Sequence, residues 1–362
     1  MLRSIAVTAS VFSLAAFAET PRPMTLVDMV NLPQITDPQI SPDGRQVLFV
    51  RSDADWKANR RVRHIWKINA DGSGLVQMTN GQDGEDSPRW SPNSGFIAFI
   101  GKRGTDPEAV AQIQLMPASG GEASALTSHV STVSNISWAQ DGATIYFLAA
   151  DPKSEERKAR DKQKDDVFLF DEDYQQRHLW NIAVATKAER RVTQGNFSVV
   201  EYEPSRDGRK IALHRAPTPL LDDNDQGEVW VMDATGNNSV QITKNKTGET
   251  GASLSPDASQ VAFLSEANQK FEYYYNAKLF VASSAGGPAR LLMPDFPYWI
   301  ERAQWSKDGS SIFFLARMGV HSELFQVTAK GGKPEQLTNG KHTIGRWSFS
   351  PSPMRISLLQ AR

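Results

Sequence analysis

The 362-residue chain contains no cysteine. That excludes disulfides, thiolate metal sites, a cysteine nucleophile and a lipid anchored through cysteine. Neither sign of charge is in excess: 40 Lys+Arg face 41 Asp+Glu, a formal net charge of −1. Phosphate binding needs a basic surface, so a general nucleic-acid binder is set aside. Histidine is scarce, with six residues scattered at His64, His129, His178, His214, His321 and His342. No metal site is expected from them. Catalytic signatures are missing as well. The chain has no Gly-x-Ser-x-Gly elbow, no His-Glu-x-x-His, no phosphate-cradling Gly-x-x-x-x-Gly-Lys-Ser/Thr and no dinucleotide glycine fingerprint. No catalytic residue, no metal and no cofactor is therefore assigned. After the first 18 residues no window is apolar enough to span a bilayer, so no membrane anchor is expected.

Those first 18 residues read as a signal peptide. Arg3 supplies a positive start, an apolar stretch follows with Ile5, Val7, Val11 and Phe12, and Ala16-Phe17-Ala18 is a small-x-small cleavage site. The apolar stretch is shorter than the roughly 20 residues a spanning helix needs. Cleavage after Ala18 and a periplasmic or secreted location are expected. In a disulfide-permissive compartment a cysteine-free chain must draw its stability from core burial.

What the chain does contain is a repeat. Ser41-Pro42-Asp43-Gly44, Ser91-Pro92-Asn93-Ser94, Ala139-Gln140-Asp141-Gly142, Ser205-Arg206-Asp207-Gly208, Ser255-Pro256-Asp257-Ala258 and Ser306-Lys307-Asp308-Gly309 each precede a short β-branched or aromatic run. A decayed copy, Ser350-Pro351-Ser352-Pro353, closes the series, and the intervals are 50, 48, 66, 50, 51 and 44 residues. The tetrapeptide sets a tight turn, with Asp bonding local backbone and Gly taking positive φ. The run after it suits a strand buried on both faces. Trp90, Trp138, Leu254, Trp305 and Phe349 stand just before turns and are expected to pack between sheets. A third strand follows in each of six units, such as His64-Ile65-Trp66 or Glu228-Val229-Trp230, and a short strand closes each, such as Met78-Thr79 or Ile242-Thr243. His64 and His178 open the same strand of their units, which marks them as structural.

Four short strands per unit at a period near 50 is the pattern of a propeller blade. The fold class expected is all-β, a β-propeller of four-stranded blades, six complete plus a partial seventh. A lead-in segment spans 19–35 and the propeller 36–362, with blades near 36–83, 84–130, 131–199, 200–248, 249–298 and 299–342 and the partial one at 343–362. A propeller usually completes its last blade, so truncation is preferred over ring closure by an N-terminal strand.

Three segments stand outside the repeat. The third unit carries an insertion at 151–176 whose charged part, 153–166, is either a solvated helix or a mobile arm. Within it Glu155-Glu156 could grip a substrate ammonium, or could belong to a solvated face beside Arg157, Lys158 and Arg160. A smaller elaboration, 269–276, holds Tyr273, Tyr274 and Tyr275, which either contact a ligand or fill strand and loop. Asp222-Asp223-Asn224-Asp225 could bind calcium, but such runs are usually turns.

The entry Met24-Thr25-Leu26-Val27-Asp28-Met29-Val30 followed by Asn31-Leu32-Pro33-Gln34-Ile35-Thr36-Asp37-Pro38-Gln39-Ile40 resembles the start of the propeller in the prolyl oligopeptidase family of serine peptidases. The nearest branch is the bacterial acylaminoacyl-peptidase and dipeptidyl-peptidase-like enzymes. The insertion leading to Phe170-Asp171-Glu172-Asp173-Tyr174 and His178-Leu179-Trp180 is similar to that branch too. The turn repeat alone is shared with TolB-type propellers. The resemblance implies a C-terminal α/β-hydrolase domain, which is missing here, and peptides as substrates of the full enzyme. This chain's share would be gating and substrate selection, and its residues offer no triad. A dipeptidyl-type enzyme would hold the substrate amine with a Glu pair on a propeller helix, the role open to Glu155-Glu156. A stand-alone TolB-like propeller acting as a protein-interaction module is the alternative, as is a lyase-type propeller with a site at its central channel. The latter would need His, Arg or acidic residues converging from inner strands, and no repeated set of these is visible.

Overall fold

The computed structural model describes residues 22–361 except 105, 107, 168, 171, 246, 352 and 353, and no side chain at 273–275 or beyond 348. The expected signal peptide at 1–18 and the first residues of the lead-in lie outside the described residues. The turn repeat explains itself in atoms. Ser41 Oγ donates to Asp43 Oδ1 at 2.6 Å, accepts from Gln46 N at 3.0 Å, and Asp43 Oδ1 accepts from Arg45 N at 3.1 Å. The same pattern recurs at Ser205 and Asp207, Ser255 and Asp257, and Ser306 and Asp308. The fourth residue takes positive φ, +71° at Gly44 and +72° at Gly309.

Each turn joins the first two strands of a four-stranded antiparallel sheet, and six such sheets follow in chain order. Blade 1 is Gln34–Ile40, Gln46–Asp55, Arg60–Asn69 and Val76–Gln77. Blade 2 is Glu85–Trp90, Phe96–Gly101, Gln112–Pro117 and Ser124–Ala125. Blade 3 is Val133–Trp138, Thr144–Ala150, Arg177–Ala183 and Glu189–Arg191. Blade 4 is Ser198–Pro204, Lys210–Ala216, Glu228–Asp233 and Val240–Gln241. Blade 5 is Glu249–Leu254, Gln260–Ala267, Tyr273–Ser283 and Arg290–Leu291, and blade 6 is Trp299–Trp305, Ser311–Met318, His321–Thr328 and Glu335–Gln336. The first strand of every blade touches the first strand of the next, so these six surround a common axis. A hairpin, Thr343–Pro351 with Met354–Ala361, follows blade 6. It does not stand as a separate sheet: a parallel bridge from Ser322 to Thr343 joins it to blade 6, and its backbone lies beside Gln34–Ile40 of blade 1. Ile40 N donates to Ser348 Oγ at 2.9 Å across that junction.

The cores are the seams between blades. Along the second strand of blade 2, Ile97 and Phe99 pack toward Leu48 and Ile65 of blade 1, while Ala98 and Ile100 pack toward Ile145 and Phe147 of blade 3. The period-two alternation thus feeds two cores at once, as a strand with both faces covered must. Truncating a fully buried ring such as Phe263, stacked on Phe280 at 5.5 Å, costs about 3–5 kcal/mol. The tryptophans before the turns bridge blades: Trp90, Trp138 and Trp305 donate Nε1–H to Gln39 O, Arg89 O and Ser253 O of the preceding blade at 3.0, 3.2 and 3.1 Å. The Phe349 side chain lies outside the described residues.

The closing strands start and stop one or two residues earlier than the sequence suggests. Thr79, Thr127, Thr193, Thr243 and Thr338 fall just past them. Each Oγ accepts the N–H of the third strand (Ile65, Ile113, Leu179, Val229, Leu324) at 2.9, 2.9, 2.9, 2.8 and 2.9 Å. A hydroxyl replaces the backbone rung there, which satisfies a buried donor while the chain turns away.

Two repeats place other residues at the glycine position of the turn: Ser94 has φ +59° and Ala258 φ +56°. A left-handed conformation costs a non-glycine L-residue roughly 1–2 kcal/mol, partly offset by the entropy glycine loses. Ala258→Gly and Ser94→Gly should each raise stability by about 0.5–1 kcal/mol. Urea unfolding monitored by tryptophan fluorescence measures this.

Candidate functional site

The first strand of every blade carries a bulge. Two residues oppose one between Thr36 and Gln39, between Asp86 and Arg89, and between Ser134 and Ser137, and the register shifts likewise between Val199 and Glu201, Thr250 and Ser253, and Ile300 and Arg302. Positive φ marks several of them, at Asp37, Ser87, Asn135 and Gly251. A bulge re-aims side chains, and here it gathers charge at the axis. Arg89 Nη1 pairs with Asp37 Oδ2 at 2.7 Å. Tyr202 donates to Asn135 O at 2.5 Å, and Glu201 accepts from Gly251 N. Arg206 Nη2 reaches Trp305 O at 3.5 Å, linking blade 4 to blade 6.

Glu203 and Arg302 face each other within this cluster. Enclosure by the protein pushes the Glu203 carboxyl up to about 7, and the neighbouring Glu201 adds to it, while Arg302 and Arg206 oppose the rise. Its surface is still reached by water, so the direction matters more than the size. Burial lowers the Arg302 guanidinium, which also feels Arg346 and Arg89 as like charges and Glu203 and Asp37 as opposite ones. The axis is therefore a network of alternating charge drawn from blades 1, 2, 4 and 6 and from the terminal hairpin.

This network opens into a cavity of about 830 Å³ lined by residues of blades 4, 5 and 6 and the hairpin, including Trp299, Arg302 and Arg346. The cavity lies where first strands begin and second strands end, as the pairings Glu249–Ser265 and Trp299–Arg317 show. The connections between second and third strands leave from that edge, so 151–176, the 3-10 turn Leu221–Gln226 and 269–276 all rise on the cavity's side of the propeller. Glu249 lines the wall and is fully buried. Burial pushes its carboxyl up to about 8, against the hydrogen bonds from Asn245 and Thr243, and the Glu228 carboxyl beside it raises it further. Burial holds His214 below the usual imidazole range. Gly227 permits this packing, because a Cβ there would sit 2.2 Å from His214 Nε2.

The residues expected from sequence fall elsewhere. Glu155 and Glu156 lie in the first turn of the helix Glu155–Lys162, capped by Ser154. The Glu155 side chain is 90% exposed and pairs with Lys158 at 2.7 Å. Of the two readings of 153–166 the structure takes the helix. Tyr273, Tyr274 and Tyr275 begin the third strand of blade 5, and their side chains lie outside the described residues. Asp222 to Asp225 form the 3-10 turn, with Asp223 accepting from Thr218 and Gln226, while Asp225 reaches the cavity. Among the described residues no group of three or more His, Asp or Glu is arranged to hold a metal ion. His64 and His178 occupy seams: His64 Nδ1 meets Glu85 Oε2 at 3.0 Å and buried His178 Nδ1 meets Thr193 Oγ1 at 3.1 Å. The axial set, Asp37, Arg89, Glu201, Tyr202, Glu203 and Arg302, escaped sequence reasoning.

No protein-family model matches the chain. Dipeptidyl-peptidase 5 of Porphyromonas gingivalis is 24% identical over 347 residues, 88% of this chain and 50% of the relative. Acylaminoacyl peptidase of Pyrococcus horikoshii superposes with a TM-score of 0.62 at 14% identity, over 90% of this chain and 51% of that one. The β-propeller domain of the Trilobed protease from Pyrococcus furiosus gives 0.59 at 13% identity, over 91% and 92%. The chain is thus a six-bladed propeller of the kind found in peptidases. It is a homologue of dipeptidyl-peptidase 5, aligned along nearly its whole length, and it spans about half the length of the curated relatives it matches.

The buried carboxyl makes a testable demand. Folded Glu249 holds its proton to about pH 8, whereas the unfolded chain releases it near 4.5. The folded state therefore binds more protons in that window, and stability falls as pH rises through it. Glu249→Gln should be more stable than the parent by roughly 1–3 kcal/mol at pH 8, the gap closing toward pH 5. Thermal melts across pH 5–8 read it directly.

Proposed function

We propose that this chain is the substrate-gating propeller of an exported serine peptidase of the prolyl oligopeptidase type, with acylaminoacyl- or dipeptidyl-peptidase specificity. The observation that carries the reading is the alignment with dipeptidyl-peptidase 5 across 88% of the chain. In this reading hydrolysis belongs to an α/β-hydrolase domain, and the chain acts by admission. A short, extended peptide enters at the cavity, where its backbone amides and termini meet Glu203, Arg302 and Arg346. A folded protein is too wide for the enclosure of six blades. The axial network is suited to this because each charge already has a partner across the axis. Binding then exchanges one polar partner for another instead of stripping bare ions of water.

The test is binding and turnover by the 362-residue chain. Short peptides should bind, weakly and saturably, whereas folded proteins should not. Aminoacyl, dipeptidyl and acyl-aminoacyl chromogenic substrates should stay intact, and a fluorophosphonate should label no serine. Arg302→Gln should weaken peptide binding about tenfold, the worth of one charge-assisted hydrogen bond. Turnover with a labelled serine, or binding indifferent to Arg302, would refute the assignment.

A further inference from the structure

Five of the six blade seams close with a polar contact that satisfies its charge. The residue that opens each third strand is His64, Gln112, His178, Glu228, Lys278 or Glu323. His64 meets Glu85. Gln112 takes hydrogen bonds from Thr127 and His129. His178 meets Thr193. Lys278 donates to Phe296 O, and Glu323 meets His342 Nε2 at 3.2 Å. The seam between blades 4 and 5 differs. There Glu228 stands where blade 1 has His64, and it meets Glu249, the counterpart of Glu85. Two carboxylates face each other where the first seam has a histidine and a carboxylate. Glu228 Oε2 is buried with no hydrogen-bond partner.

The negative charge is not answered nearby. Asp225 and Glu266 line the same cavity as Glu249 and are close enough to raise one another's cost of ionisation. None of Asp225, Glu228, Glu249 and Glu266 forms an ion pair among the described residues. A second, independent observation points the same way. His214 lines this cavity at 1% exposure, and neither of its ring nitrogens makes a hydrogen bond. A buried imidazole without a partner is costly, about 1–3 kcal/mol, unless something fills the role. A neutral ring nitrogen and several carboxylate oxygens together form a set of acceptors with no donor.

We infer that this wall of the cavity is a binding subsite for an organic ammonium group, which supplies the cation that the seam between blades 4 and 5 lacks. The ammonium brings three donors and one positive charge to His214, Asp225, Glu249 and Glu266. A lysine side chain and a free amino terminus present the same chemistry, and the assay separates them. The inference deepens the peptide-binding reading and rests on it for the identity of the ligand, but the site itself is tested without a peptide.

Thermal melts of the full chain at pH 7 are recorded with butylammonium chloride and with sodium chloride at equal ionic strength. Butylammonium should raise the melting temperature above the sodium control, and calcium chloride should not reproduce the rise. Glu249→Gln and Glu266→Gln should each abolish the increment, whereas Glu155→Gln should retain it. A second arm compares acetyl-Gly-Lys-Gly-amide, acetyl-Gly-norleucine-Gly-amide and unblocked Gly-Gly-Gly-amide by calorimetry. Binding about tenfold tighter for a peptide with an ammonium than for the norleucine peptide supports the subsite and tells which ammonium it takes. No increment over sodium, or an increment that survives both Gln variants, overturns the inference. Equal affinity for the charged and norleucine peptides overturns it too, while leaving the peptide reading intact. If butylammonium acts as expected and no peptide binds, the subsite stands and the peptide reading falls.

Discussion

A sheet with two apolar faces cannot stand alone in water, and this structure follows from that constraint. Ile97 and Ala98 are neighbours in sequence, yet one is buried in the seam with blade 1 and the other in the seam with blade 3. Each blade is therefore stable only between two others, and the arrangement that gives every blade two neighbours is a ring. Six apolar clusters fill the seams, the last between blade 6 and Ile344 and Trp347 of the hairpin. The indole and threonine bridges fix the seams' register, because each satisfies a buried donor at a position the next blade must supply. Function is displaced to what the seams leave over, the axis and one rim.

The ring explains which features could be read from the sequence. The turns, the buried second strands and the bridging tryptophans are imposed by the same local physics six times, so they repeat and can be seen. The axial residues hold the opposite position. Four residues before the turn serine or its equivalent stand Asp37, Ser87, Asn135, Glu201, Gly251 and Arg302, a different chemistry in every blade. A search for a repeated set finds nothing there. The available signal is variation inside a constant frame, between a strand that always begins and a tryptophan or leucine that nearly always ends it. The closing threonines misled in a smaller way: their β-branched side chains read as strand, whereas their hydroxyls act after the strand has ended. The acidic wall was partly in view through Asp222 to Asp225, but its other members, Glu249 and Glu266, are brought there only by the stacking of blade 5 on blade 4.

The site combines two kinds of electrostatics. At the axis, opposite charges from different blades are paired, and the enclosure keeps them responsive: Glu203 is held near neutrality in pKa while Arg302 balances several neighbours. At the seam between blades 4 and 5, like charges are kept together by the surrounding core and cannot separate without opening it. The first arrangement favours exchange of partners along a path, and the second favours capture of a charge the protein does not provide. Both lie on the side from which the long connections rise, so entry, recognition and the variable loops share one face. A relative twice as long, aligned across the whole of this propeller, fits a design in which this face regulates what reaches another domain.

Hydrogen exchange with and without a saturating short peptide tests the account most directly, because it locates the contact without assuming the chemistry. The account predicts slowed exchange at residues 201–203, 247–250 and 299–302, where the axis meets the cavity, with the helix Glu155–Lys162 unchanged. Protection confined to that helix and its insertion, or none along the axis, would contradict it.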